Sequence, residues 1–535
     1  MSASGSITSR TGPGLNIRNM VAFAKPAIEI VLAGAEGRPD AYVNSFSTLD
    51  PIQGVVRITA RNDTPFDDLE ITMHGVTKTY VDKLASTSAI GGRQEATHRF
   101  LKLTQPMRDD ELPQPRVFAA NRTYEYPFTF ALPQQLLPKA CTHKTQHNGV
   151  QETHLQPPPS FGDPELSGFG TTLLDDMAPL MARIQYAVKV QIFRTHLADE
   201  TQHVISEATK KLRIKPVFDE QPPLDLDIYG CHEDYTLRQE KSIRKGMLKG
   251  KLGRLVMEAN QPKGFRLPAV PAGDPIPAVS TKVKIKVRFD PADDTTPPPR
   301  LSSVSSKLKV GTFFSCTPRH NFPSRSSLAY DSTQGYISEF LSLSSICAAN
   351  VDWRRHESWE SPTSRRTSAA SRDSNATTAV QSNCSANTSI PEPSKDWKGK
   401  HFYTATLLVP LTLPTNKNFV PTFHTCLVSR VYGLHVSLGV SGQPVGSSVT
   451  LKLPVQISAE GSVSSVERRR QSSYIAQAQV DADAAFEPRN IAPPPEHLLG
   501  YSRLPGVTNN LPPDYSFPSS SRVSGVGGLS VPVAG

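Results

Sequence analysis

A chain of 535 residues has room for two or three domains. Its 37% apolar content is low for a fully packed globule, so sizeable unstructured segments are expected, and no apolar run approaches the ~20 residues of a membrane span. Its 58 Lys and Arg against 49 Asp and Glu leave a net charge of +9, which suits an anionic membrane face or an acidic partner and is too diffuse to imply nucleic acid.

Residues 1–26 are polar and carry no apolar run of the kind a signal peptide needs, so they read as a disordered N-terminus. The six cysteines, Cys141, Cys231, Cys316, Cys347, Cys384 and Cys426, form no CxxC pair, and reduced thiols in a cytosolic protein are expected. The glycosylation-like Asn121 and Asn375 would then stay unmodified. Over 27–216 the pattern is strand-like. The runs "IEIVLAG", "GVVRITARN", "LEITMHGV" and "IQYAVKVQIF" are short, rich in β-branched residues and punctuated by Gly, Asn, Asp and Pro, which predicts an antiparallel β-sandwich. Helical periodicity comes nearest in "LDDMAPLMARI", where Pro179 argues against a long helix. Proline clusters such as "QPPPSF", "TTPPPR" and "APPPEH" read as linkers or loops.

A second sandwich is predicted over 223–457, joined to the first near 216–223. In "KVKIKVRF", Lys282, Lys284, Lys286 and Arg288 take one face, and Val283, Ile285, Val287 and Phe289 take the other, as a period of two demands. The runs "HFYTATLLVPLTLP", "HTCLVSRVYGLHVSLGV" and "SSVTLKLPVQI" continue the signature. Between them residues 358–395 are dominated by Ser, Thr, Arg and Asn, with too few large aliphatics to offset the entropy of ordering, and disorder is expected there. The tail, 458–535, has the same character, with a short helix possible in "SSYIAQAQVDADAAF". The fold expected is therefore all-β, two tandem sandwiches with a disordered insert and a disordered C-terminal tail.

Enzyme signatures are missing: no G-x-x-x-x-G-K-[ST], G-x-S-x-G or H-E-x-x-H occurs, and "GFGTTL" reads as a turn. Binding rather than catalysis is expected, with no cofactor. Cys141, His143, His147 and His154 cluster in sequence, but their spacing fits no standard metal site, so no metal is expected. The stretch "KSIRKGMLKGKLGR" holds six cations and no acid. It reads first as a solvated surface; its functional reading is anionic-lipid contact or ubiquitination at Lys241, Lys245, Lys249 and Lys251, with the lysine face of 282–288 adding to it if the two lie together. Arg-Arg-x-Ser sites end at Ser368 and Ser472, where phosphate would reverse the local charge and recruit a 14-3-3-type partner.

The tail carries "LPPDY". Pro512 and Pro513 fix their own φ angles, which biases 511–514 toward polyproline II, and Tyr515 supplies a large amphipathic ring just beyond. Leu511, Pro512, Pro513 and Tyr515 match the Pro-Pro-x-Tyr ligand of WW domains, a motif expected roughly 0.1 times by chance at this composition.

Two sandwiches followed by that motif resemble the α-arrestins, and a fungal member in particular. "DPIQGVVRI", "LEITMHGVTKTYV" with Gly75, "YEYPFTFALPQQLLP" and "RIQYAVKVQIFR" are similar to successive strands of the arrestin N-domain, and "VPTFHTCLVSRVYGLHVSLGV" is similar to late strands of its C-domain. The resemblance implies arrestin-like immunoglobulin-type sandwiches, and an adaptor that recruits a WW-domain HECT-type ubiquitin ligase to plasma-membrane transporters or receptors for ubiquitination and endocytosis. It also implies a cytoplasmic protein, peripheral at the plasma membrane or endosomes. Departures are plain. Residues 141–179 are a long insertion where the family has a short loop, no phosphate-sensing charged core is located, and "PPPEH" places His497 where a second motif would need Tyr. The rival readings are a signalling scaffold for a nutrient- or pH-sensing receptor and an enzyme with a β-sandwich domain.

Overall fold

Alternation in "ARIQYAVKVQIFRT" puts Ala182, Ile184, Tyr186, Val188, Val190 and Ile192 on one face, and in the computed structural model those six are the buried residues of a 14-residue strand. The structure describes residues 25–34, 45–82, 92–167, 173–195, 201–224, 234–244, 250–269, 277–357, 390–395, 397–442, 448–461 and 470. In chain order the first part forms β1 (Ala27–Leu32), β2 (Ser45–Phe46), β3 (Pro51–Thr59), β4 (Thr64–Pro65), β5 (Asp68–Asp82), β6 (Arg93–Thr104), β7 (Val117–Phe118), β8 (Thr123–Ala131), the helix α1 (Asn148–His154), β9 (Ala182–Thr195) and β10 (Gln202–Ile214). The second forms β11 (Arg238–Arg244), β12 (Lys251–Glu258), β13 (Phe265–Leu267), β14 (Ser280–Pro291), β15 (Leu301–Ser315), β16 (Gln334–Cys347), β17 (Arg354–Glu357), β18 (His401–Thr412), β19 (Phe423–His424), β20 (Val428–Val440), β21 (Val449–Val455) and β22 (Ile457–Ala459).

Each part is a pair of sheets. The sheet β1-β3-β8 covers β2-β10-β9-β5-β6, and Ile52, Val56, Ile58, Phe128, Ile71, Met73 and Ile184 fill the space between them. In the second sandwich β11-β12-β14-β18-β17 covers β16-β15-β20-β19, with β21 beside β20, around Leu255, Val283, Ile285, Leu308, Leu434 and Leu451. Among the described strands, pairing is antiparallel except for the short β2–β10 and β13–β22 contacts. The all-β, two-sandwich expectation holds.

Two glycines in the quoted strands serve close packing. A Cβ on Gly54 would lie 2.4 Å from the Val31 carbonyl oxygen and 2.5 Å from Cζ of Phe128, its cross-strand partner; one on Gly75 would lie 2.4 Å from Cε2 of Phe100. Gly54→Ala is expected to cost about 1–3 kcal/mol through this overpacking. Urea unfolding measures it, and an unchanged midpoint would contradict the steric account.

The Pro-rich segment expected to be a linker at 156–161 is irregular but packed. Pro157, Pro158 and Pro159 are buried, and the Tyr186 hydroxyl donates to the Pro158 carbonyl at 2.7 Å. The end of the expected disordered insert also differs. Residues 390–395 dock on β14, because the buried Arg288–Asp290 pair needs partners: Arg288 Nη1 donates to the Pro391 carbonyl at 3.0 Å, and the Ser394 amide donates to Asp290 Oδ2 at 2.7 Å. The expected tail likewise starts inside the fold, since Ser458 and Ala459 belong to β22, paired with β13. The rest of the insert, 358–389, lies outside the described residues, as do 1–24 and the tail beyond 461 apart from 470. Residues 173–181 form no helix.

Candidate functional site

The two sandwiches meet along a continuous core. Val420, Phe423, Cys426, Leu427 and Val428 of the second are buried in the same cluster as Phe161, Ile184 and Leu155 of the first. The segment between β8 and β9, expected as an edge insertion, supplies much of this contact. Thr79 Oγ1 also donates to the Ser315 carbonyl across it at 2.7 Å.

Arg430 on β20 is 1% exposed at this seam. Its guanidinium donates to Thr312 Oγ1 at 2.7 Å, to the Met177 carbonyl at 3.2 Å and to the Asp176 carbonyl, and lies 4.8 Å from the Phe161 ring centroid. The Asp176 carboxylate accepts the Gly162 amide at 2.8 Å and the Ala178 amide at 3.1 Å. Burial pushes the Asp176 carboxyl above its ordinary range, against the pull of those amides and of Arg430. Nearby, Asp163 accepts Gln185 Nε2 at 2.6 Å and Lys211 Nζ at 3.0 Å. Burial opposes its ionisation, but those hydrogen bonds outweigh it and hold the carboxyl below the usual range. Sequence reasoning locates no charged core, yet these buried charges form one. Nothing along the chain marks it, since Asp176 and Arg430 lie 254 residues apart.

A second cluster lies on the same seam. Cys141 and His143 leave a 3-10 turn at Pro138–Ala140, His154 ends α1, and Cys426 sits in the turn between β19 and β20. Their four donor atoms lie within 4.8 Å of one another. Cys141, His154 and Cys426 are buried and His143 is half-buried. Burial, together with neighbouring Cys141, pushes the Cys426 thiol up to about 12, and burial holds His154 down to about 3. His147, grouped with these residues in the sequence, instead precedes α1 as its N-cap and stands outside the quartet. Cys426 escapes sequence reasoning because only the fold brings it here.

Two cavities open on the seam. One of about 350 Å³ is bounded by Phe46, Phe161, Arg213, Leu267 and Phe419, and another of about 320 Å³ by Phe218, Tyr235, Phe313, Tyr336 and Phe423. Both join residues of the two sandwiches, as ligand-binding clefts between domains do.

The basic residues do not form one surface. Lys282 and Lys284 are exposed on the outer face of β14 and Lys286 is half-buried, but Arg288, expected beside them, is buried: it pairs with Asp290 at 2.7 Å and is covered by the Trp397 and Phe402 rings. Lys241 pairs across the sheet with Leu255, which faces the core, so it belongs to the opposite face, and its Nζ donates to the Ser448 carbonyl at 3.1 Å. Between the two groups stand Arg238, Glu240 and Glu258, joined by ion pairs, so the stretch that is acid-free in sequence is not acid-free in space. Lys251 is exposed at the start of β12. Lys245, Lys249, Ser368, Ser472, Leu511, Pro512, Pro513 and Tyr515 lie outside the described residues.

Fold and seam define an all-β double sandwich whose halves meet over buried charge and a Cys/His quartet. Residues 343–459, from β16 to the end of β22, match the family model of the Bul1 C terminus, and this segment carries Arg430 and Cys426. The family is one of arrestin-related, Bul1-type ubiquitin-ligase adaptors, and over that segment the chain is similar to it. No curated protein matches the chain.

Proposed function

We propose that the chain is an arrestin-like adaptor that brings a WW-domain HECT-type ubiquitin ligase to cytosolic segments of plasma-membrane transporters or receptors, promoting their ubiquitination and endocytosis. The observation that carries this reading is the match of 343–459 to the Bul1 C terminus. The tail motif Leu511-Pro512-Pro513-Asp514-Tyr515 agrees with it, because a short polyproline II ligand is what a WW domain holds. The mechanism is proximity: one chain that holds both cargo and ligase raises the effective concentration of the ligase near the cargo lysines. A place at the cytoplasmic face of the plasma membrane or endosomes follows from the cargo. Phosphate on Ser368 or Ser472 would regulate it by recruiting a 14-3-3-type protein. Affinity capture with the intact chain and with a tail-substituted version, read by mass spectrometry, tests the proposal. Ligase should be captured by the first alone and membrane cargo by both; capture of neither by the intact chain would overturn it.

A single WW ligand binds weakly, and a second, membrane contact at Lys245, Lys249 and Lys251 would strengthen the assembly, each cation near an anionic surface contributing about 1 kcal/mol. Replacing the three with Glu is expected to weaken binding to anionic liposomes in a salt-dependent way. An unchanged affinity in liposome co-sedimentation would leave these lysines as solvated surface.

A further inference from the structure

We propose that Cys141, His143, His154 and Cys426 bind one structural zinc ion that fastens the first sandwich to the second. Two thiols and two imidazoles are the donor set of closed, tetrahedral zinc sites. With zinc–sulfur bonds of ~2.3 Å and zinc–nitrogen bonds of ~2.0 Å, such a site sets its donors roughly 3.3–3.8 Å apart. Cys141 Sγ lies 3.3 Å from His143 Nε2 and 3.7 Å from His154 Nδ1, inside that window, and all four donors fall within 4.8 Å of one another. Drawing the outermost donors together by about 1–1.5 Å would complete the tetrahedron.

The surroundings suit a metal. His143 Nδ1 lies 3.2 Å from the Lys144 carbonyl. Donation there fixes the tautomer and leaves the Nε2 lone pair free to face the cluster, the outer contact that zinc-bound imidazoles make. The quartet is set among buried apolar residues, including Ala140, Leu155 and Leu427. Two thiolates and two neutral imidazoles around a divalent ion carry no net charge, so the loaded site can be buried there without a counter-ion. Binding releases the two thiol protons. Four protein ligands leave no open position, which makes the ion structural, not catalytic.

Three ligands come from 141–154 in the first sandwich and the fourth from the second, so zinc would cross-link the two at the turn before β20. A disulfide between Cys141 and Cys426 is the competing chemistry, but it gives no reason for two imidazoles to converge on the same point. This proposal stands independently of the adaptor reading.

The test uses the untagged full chain expressed with zinc and purified without chelator. Elemental analysis is expected to find one zinc per chain, lost in Cys141→Ser and Cys426→Ser and retained in Cys347→Ser, whose thiol is exposed and apart from the cluster. Removing zinc with a chelator should lower the melting temperature, and refilling with cobalt(II) should give the thiolate charge-transfer and d–d bands of a tetrahedral site. Where a cysteine variant does not fold, His143→Ala, at the half-buried ligand, is expected to fold and to lose the metal. Three results would overturn the proposal: no zinc and no tetrahedral cobalt spectrum; full zinc content in both Cys426→Ser and His143→Ala; or Cys141 and Cys426 that alkylate only after reduction.

Discussion

Tyr515→Ala is expected to abolish binding of the WW-domain ligase while leaving the sandwiches folded. On the proposed reading, Pro512 and Pro513 take the polyproline II form and fill one aromatic groove while the Tyr515 ring enters the neighbouring pocket. Removing the ring forfeits the burial of a large side chain, about 1.5–3 kcal/mol. Because about 1.4 kcal/mol is tenfold in affinity, a weak peptide contact falls by at least that factor, below detection in most assays. Leu511→Ala should do less, since that side chain adds only flanking apolar contact. The two hydrophobic cores run from Leu32 to Ile457, so the melting temperature should not move. Calorimetric titration of the intact and variant chains with the ligase's WW domains measures the loss. Equal affinities would remove the motif from the account.

Arg430→Ala is expected to cost about 3–5 kcal/mol, the range for removing one partner from a buried charged network. The substitution leaves a void at the seam, strips the Thr312 hydroxyl and the Met177 and Asp176 carbonyls of their donor, and removes one of the cations near the Asp176 carboxylate, leaving Arg213. Arg430→Met keeps much of the volume but none of the donors, so it should recover only the packing part. Urea unfolding measures both. A loss below about 1 kcal/mol for Arg430→Ala would mean that water or a shifted side chain replaces the guanidinium.

Arg430 marks what the sequence did not make legible. The motif around Tyr515 is local, five consecutive residues that the sequence displays whole, and it lies outside the described residues. Strands were legible for the same reason: in β9 and in the start of β14 every second residue faces the core, and the alternation shows this without knowledge of any partner. Near Arg288 the pattern failed, because 390–395 cover the outer face and both faces of β14 are buried there. Arg430 failed likewise. β20 is an interior strand with the first sandwich packed at its start, so its first three residues are all buried and a cation in "VSRVYG" looks no different from a solvated one. The Cys/His quartet was half legible. His143 follows Cys141 by two residues and His154 ends the next helix, but Cys426, whose Sγ lies 3.8 Å from the Ala140 carbonyl 286 residues earlier, arrives only through the packing of one sandwich on the other.

Ubiquitin transfer in a reconstituted reaction tests the adaptor account most directly. The reaction contains activating and conjugating enzymes, a WW-domain HECT-type ligase, a cytosolic transporter segment that the sandwiches retain, and either the intact chain or Tyr515→Ala. Ubiquitin is expected on the segment with the intact chain and at background levels with the variant, although both retain the segment equally. Equal transfer with the two chains, or transfer that does not depend on adding either, would contradict it.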